Sequence, residues 1–94
     1  MKETLTYRTP ERLDTVTAPD VLEQLLALAA EEPEGIVIEM EDTVYISSMG
    51  LRALLQTQKE LEKKGGKMSI RGVKPMVANI FEVTGFSQIF TICG

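Results

Sequence analysis

The sequence predicts an α/β domain with a mostly parallel central sheet of about four to five strands and about three to four helices. Short stretches rich in β-branched residues alternate along the chain with stretches whose apolar residues recur every three or four positions. Proline and glycine mark the boundaries between them. Right-handed crossovers between such elements favour parallel strands. Since 94 residues leave room for one domain, the predicted domain spans residues 1–94.

The first strand and the first helix are predicted from alternation and from a capping pattern. Residues 4–9 alternate apolar and polar side chains and stop at Pro10, which predicts a short strand. The first helix follows Thr17, which together with Asp20 resembles a capping box, and its apolar stripe ends at Ala29.

The middle of the chain predicts a buried strand, an extended segment and a long helix. Residues 36–40 are rich in β-branched side chains, which predicts a strand buried on both faces. Residues 44–46 form an extended segment that leads into a helix over about residues 49–64. Two glycines then stop this helix.

The last third of the chain predicts a strand, a helix and a final strand. The two strands are predicted at residues 67–72 and 88–93. The helix begins at Pro75 and ends near Gly85. Its inward-facing residues are predicted to be Met76, Val77, Ile80 and Phe81, with Met76 and Met68 as core filling.

The composition excludes several classes of protein. The net charge of −4 argues against binding to nucleic acid, which needs a basic face. No apolar run resembles a signal peptide or a membrane span, so we expect a cytoplasmic protein without membrane insertion. The single cysteine, Cys93, is interpreted as an apolar filler in a reducing compartment.

The residues that are missing also argue against catalysis. Without histidine, a Ser-His-Asp triad and an ordinary zinc site are unavailable. The chain has no glycine-rich phosphate loop with its lysine. We therefore expect no enzyme activity, no metal site and no cofactor.

Two serines, Ser47 and Ser48, lie where an extended segment meets a helix. In parallel sheets, ligands and partners meet the loops at the carboxyl ends of the strands. A hydroxyl at a helix start has two interpretations. It can cap the helix, which stabilises it by about 1 kcal/mol, or it can carry a phosphate whose charge the helix start favours. The residues alone leave both interpretations of Ser48 open.

Three stretches of the chain resemble the STAS family, the sulfate transporter and anti-sigma factor antagonist domains. They are Arg12-Leu-Asp-Thr-Val-Thr-Ala-Pro, then Val44-Tyr-Ile-Ser-Ser-Met-Gly-Leu, and finally Lys64-Gly-Gly-Lys-Met-Ser-Ile followed by Val83-Thr-Gly-Phe-Ser-Gln-Ile-Phe. Together they cover nearly the whole chain in the family's order.

This resemblance implies a switchable binding protein. In bacterial anti-sigma factor antagonists of the family, a partner anti-sigma factor with serine kinase activity phosphorylates the serine that aligns with Ser48. A phosphatase is a further implied partner, and the output is sigma-factor-dependent transcription. The chain departs from the family pattern at Ser47, where the family has aspartate, and at Met49, where a second hydroxyl residue is usual. The residues expected to bind the partner are Asp14, Thr17, Ser47, Met49, Gly50 and Arg52.

A second function stays open at this point. Some STAS proteins without the full serine motif resemble structural subunits of membrane transport complexes, such as ABC transporters. Because the chain departs from the family pattern at Ser47 and Met49, a constitutive, unphosphorylated subunit of such a complex stays an alternative.

Overall fold

Four parallel strands form the main sheet of the computed structural model, which describes residues 3–93. The strands are β1 (Thr4–Arg8), β2 (Arg12–Leu13), β3 (Gly35–Glu39), β4 (Tyr45–Ile46), β5 (Lys67–Arg71) and β6 (Thr91–Cys93). The helices are α1 (Ala18–Ala29), α2 (Ser48–Lys63) and α3 (Pro75–Thr84), and a 3-10 turn follows at Phe86–Gln88.

The strand order of the main sheet is β1-β3-β5-β6, and every neighbouring pair is parallel. The two short strands β2 and β4 pair with each other, also in parallel, and form a separate small sheet. The predicted α/β class, with a mainly parallel sheet and three helices, is confirmed.

All three α-helices lie on one face of the main sheet. Each crossover leads to the next strand in the same direction, and right-handed crossovers of that kind place their helices on the same side. The strand register shows the result. The row formed by Tyr7, Ile38, Ile70 and Ile92 faces the helices, and the row formed by Thr6, Val37, Ser69 and Thr91 faces the opposite side. We call that opposite side the bare face.

The strand at residues 36–40 was predicted to be buried on both faces; four residues of β3 are buried, including Glu39 on the bare face, and Val37 is the exception. Ile36 and Ile38 are fully buried beneath the helices, whereas Val37 on the bare face is only half-buried. The strands follow their chain order across the sheet, so all the crossover helices lie on the other face and none covers Val37. The other residues of its row are polar, as is usual for a sheet with one solvated face.

The hydrophobic core lies between the main sheet and the helices. Ile38 and Ile70 from the sheet, Leu54 from α2 and Phe81 from α3 are all 0% exposed. Phe81 also packs edge-on against Phe90, with ring centroids 5.7 Å apart. Burial of these apolar groups is the main stabilising term of the fold.

A buried pair of threonines ties the small sheet to the main one. The Thr43 hydroxyl lies 2.7 Å from the Pro10 carbonyl oxygen. The Thr9 hydroxyl lies 2.5 Å from Thr43 Oγ1 and 3.3 Å from the Glu39 carbonyl oxygen, so the two hydroxyls share one hydrogen bond between these carbonyls. This chain of hydrogen bonds connects the turn before β2 to the loop before β4.

Two side-chain predictions are wrong at the C-terminal end. Met76 is 67% exposed, because the buried stripe of α3 runs through Val77 and Phe81 one residue further on. Cys93 is exposed because β6 is an edge strand and Cys93 points to the bare face. The last strand is also shorter than predicted, since residues 86–88 form a 3-10 turn.

The helices of the described range, residues 3–93, include none that is both long and apolar enough to cross a membrane.

Candidate functional site

The small parallel sheet brings two loops together. Leu13 at the end of β2 pairs with Ile46 at the end of β4. The Ser47 N–H donates to the Leu13 carbonyl at 2.9 Å, so Asp14 and Ser47 leave the small sheet side by side. The two loops lie beyond the carboxyl ends of β1 and β3, at the edge of the sheet where the sequence predicts a site.

Ser47 caps α2, and Ser48 does not. Ser47 has an extended backbone, and its Oγ accepts a hydrogen bond from the Gly50 N–H at 3.3 Å. Ser48 is the first residue of the helix and is exposed. Within residues 3–93, its hydroxyl makes no hydrogen bond to the protein. The capping interpretation therefore applies to Ser47, and the Ser48 hydroxyl is left accessible.

Asp14, not Thr17, organises the loop before α1. The Asp14 carboxylate accepts the N–H groups of Val16 at 3.0 Å and Thr17 at 3.1 Å, and Arg12 Nε donates to it at 3.3 Å. The Thr17 hydroxyl points back, accepting from the Asp14 N–H and donating to the Arg12 carbonyl at 2.7 Å. The predicted capping box between Thr17 and Asp20 is wrong because Thr17 makes no side-chain capping bond to the helix.

The hydrogen bonds to Asp14 make loop stability depend on pH. The N–H of Thr17, followed by those of Val16 and Arg12, holds the pKa of the Asp14 carboxyl below its ordinary value of 3.8. A lowered pKa means that the charged form is favoured by folding. This stabilisation is fully present above pH 3.8 and is lost as the pH falls through the folded-state pKa.

We therefore expect Asp14→Asn to lower the free energy of unfolding more at pH 7 than at pH 3. Urea unfolding of the wild type and the variant at both pH values measures the difference. Glu23→Gln, which removes an exposed charge from α1, controls for net charge. An equal loss at both pH values would contradict the role assigned to the Asp14 carboxylate.

Gly50 lies behind the serines and is buried. A Cβ at this position would lie 2.5 Å from the Leu13 carbonyl oxygen and 2.8 Å from Ile46 Cγ1. Gly50 therefore allows the start of α2 to pack directly on the small sheet. Gly50 contacts Leu13 and Ile46 of the small sheet and fixes the position of α2 below the two serines.

Met49 and Arg52 lie on the accessible side of the site. They line a groove of about 310 Å³ between the starts of α1 and α2. Met49 is 41% exposed, so it does not fold back into the core. The remaining residues of the groove are Ala18, Pro19, Leu22, Ala53 and Gln56. The groove is mainly apolar, with the Arg52 guanidinium as its charged group.

The sequence analysis missed an exposed cluster next to these loops. The Arg12 guanidinium lies 4.6 Å from the centre of the Tyr45 ring, a cation–π contact. Tyr45 is 39% exposed, and Val16 in the Asp14 loop is 84% exposed. The pairing of Arg12 with Tyr45 follows from the β2–β4 register, and two-residue strands leave no periodicity from which it could be predicted.

Residues 3–93 contain no group of three or more His, Cys, Asp and Glu side chains that could hold a metal ion. The arrangement combines an apolar groove that contains Met49 and Arg52 with accessible polar groups around it, which are features of a protein-binding surface.

Comparison with known proteins relates this geometry to a family. A family model described as the STAS domain matches residues 2–94. The protein BtrV of Bordetella bronchiseptica is 39% identical in an alignment of 74 residues, and this alignment covers 74% of this chain and 64% of BtrV. An anti-sigma-B factor antagonist of Bacillus subtilis is 30% identical over 80 residues, covering 85% of this chain and 72% of that protein.

A solved structure has the same fold. The anti-sigma factor antagonist from Mycobacterium paratuberculosis superposes with a TM-score of 0.85 at 24% identity, over 98% of this chain and 78% of that one.

Proposed function

This chain belongs to the STAS domain family, and on that premise we propose that it is an anti-sigma factor antagonist acting in the cytoplasm. Its partner is an anti-sigma factor with serine kinase activity. By binding this partner, the protein frees a sigma factor for transcription. The similarity to the antagonist of Bacillus subtilis over most of the chain supports the proposal.

Ser48 is the proposed phosphoacceptor, and the observation that carries this assignment is its accessible hydroxyl at the start of α2. In the transfer, Ser48 Oγ forms a bond to the γ-phosphorus of ATP while the bond to the β-phosphate oxygen breaks. ADP leaves, and a base of the kinase takes the hydroxyl proton. Because Ser47 already caps the helix, the reaction breaks no hydrogen bond of Ser48 within residues 3–93.

The phosphate acts through charge. It adds about −1.5 to −2 charges to the start of α2. The N-terminal end of a helix stabilises a negative group, so the fold is retained. A partner that places acidic groups opposite this surface is repelled, and unfavourable charge pairs of that kind cost several kcal/mol. Phosphorylation thus releases the partner, and a phosphatase restores binding.

The proposed partner surface consists of the two loops and the adjoining groove. It contains the predicted residues Asp14, Thr17, Ser47, Met49 and Arg52, with Gly50 holding α2 in place beneath them. Met49 contributes apolar contact area, and Asp14 keeps its loop in one conformation.

The test combines phosphate transfer with binding. We expect the cognate anti-sigma factor and ATP to place a single phosphate on Ser48, detected by mass spectrometry of the digested protein. We also expect Ser48→Asp to lower the affinity for that partner by about ten-fold or more. Asn79→Asp, which adds the same charge on an exposed position of α3, should bind like the wild type.

Absence of phosphate on Ser48 together with wild-type affinity in Ser48→Asp would contradict the switch. In that case, affinity capture of a transporter ATPase in place of an anti-sigma factor would support the alternative, a constitutive subunit of a membrane transport complex.

A further inference from the structure

We propose that Arg52 is a positioning residue for the phosphate on Ser48: once Ser48 is phosphorylated, the Arg52 guanidinium pairs with it and is withdrawn from the groove. This inference rests on the proposed phosphorylation of Ser48 and specifies how the surface around it responds.

The spacing along α2 places the two side chains together. Ser48 and Arg52 are four residues apart on the same helix, and both are exposed. Side chains at this spacing share one helix face, with Cβ atoms about 5–6 Å apart. Every Cα–Cβ bond of a helix tilts toward its N-terminus, so the long Arg52 side chain extends in the direction of Ser48.

Arg52 is also the arginine without a carboxylate partner. The other three arginines each form an ion pair, in the pairs Arg8–Asp42, Arg12–Asp14 and Arg71–Glu39. Within residues 3–93, no carboxylate lies within ion-pair distance of Arg52. Arg12, in β2, is the other arginine close to the two loops, but it already pairs with Asp14 and stacks on the Tyr45 ring.

Guanidinium and phosphate are well matched. The planar guanidinium presents paired N–H donors that bind two phosphate oxygens at once, and such charge-assisted bonds are stronger than neutral ones. The pair can therefore form without any change in the course of the helix.

The pairing gives the phosphate a second effect. Without phosphate, Arg52 lies in the wall of the groove beside Met49, where it can attract an acidic group of the partner. With phosphate, this positive charge is neutralised at the same time as negative charge is added. One modification thus removes an attraction and introduces a repulsion.

The experiment uses the full chain with phosphoserine incorporated at position 48 during translation, so that no kinase is needed. The probe is the 31P NMR signal of the phosphate, titrated in the wild type, Arg52→Gln and Arg52→Lys. We expect the second pKa of the phosphate to rise by about 0.3 pH units in Arg52→Gln, the size that an ion pair at this spacing gives. Arg52→Lys, which keeps the charge, should retain most of the lowering.

Lys59→Gln is the matched control, because Lys59 lies on the same face of α2 about 16 Å from Ser48. That separation exceeds the Debye length of about 10 Å at 0.1 M salt, so the phosphate pKa should not change. Equal pKa values in the wild type and Arg52→Gln, or equal rises in Arg52→Gln and Lys59→Gln, would overturn the proposal. A phosphate pKa in Arg52→Lys equal to that in Arg52→Gln would also overturn the proposal.

These outcomes are independent of the kinase, because the phosphoserine is built in. If the titration shows no Arg52 pairing, the proposed function is still tested by the labelling experiment. If the kinase does not label Ser48, the Arg52 pairing is still tested by the titration.

Discussion

Replacing Gly50 with alanine is expected to destabilise the fold by about 2 kcal/mol or more. The added methyl group would lie 2.5 Å from the Leu13 carbonyl oxygen and 2.9 Å from Leu13 Cγ. That carbonyl accepts the Ser47 N–H, so it cannot move without breaking the hydrogen bond that joins the two loops. Alanine is favoured over glycine in a helix by about 1 kcal/mol. We expect the steric overlap to cost more than this, so that the variant is less stable than the wild type.

Urea unfolding measures the effect of Gly50→Ala, with Gly85→Ala as the control. Gly85 has a φ of 84° and no atom within 4 Å of the added Cβ. Its substitution therefore measures the cost of a left-handed backbone conformation in the absence of steric overlap. It should cost about 1–2 kcal/mol. Wild-type stability in Gly50→Ala would show that α2 can move away from the small sheet, and the site geometry described above would then be wrong.

Phe81→Ala is expected to lower the free energy of unfolding by about 3–5 kcal/mol, the range for removing a buried aromatic ring. Phe81 is 0% exposed, and its ring packs edge-on against Phe90 at an interplanar angle of 74°. The substitution removes this aromatic contact as well as leaving a cavity. A domain of this size is stable by about 5–15 kcal/mol, so the variant loses a large part of its stability.

Thermal unfolding followed by circular dichroism measures the effect of Phe81→Ala. We expect a decrease in Tm of at least about 12 °C, since each kcal/mol corresponds to about 4–8 °C in a domain of this size. Val83→Ala is the matched control on the same helix, and because Val83 is 73% exposed its effect should stay within about 0.5 kcal/mol. Similar Tm values for the two variants would contradict the packing of α3.

The fold class was predictable because local patterns determine it. The apolar stripe of α1 and the buried strand β3 are each visible within one short window of sequence. The bare face was not predictable, because it depends on strand order, and periodicity does not report strand order. Met76 and Val77 are adjacent and both apolar, so the sequence pattern alone does not determine which of the two faces the core.

The site was predictable in position more than in detail. The junction after β4 placed Ser47 and Ser48 correctly at the start of α2. Which serine caps the helix depends on a one-residue difference in the helix start, and such boundaries are the least certain part of any sequence prediction. The hydrogen bonds of Asp14 depend on the backbone path of its loop, which the residue types leave undetermined.

The bare face also has a practical consequence for binding measurements. Cys93 is the only cysteine, is exposed, and lies in the strand row that faces away from the helices. A thiol-reactive dye or a biosensor tether attached there would be separated by the sheet from the groove between α1 and α2. The protein can therefore be labelled or immobilised at a single native position while the surface proposed to meet the partner stays open.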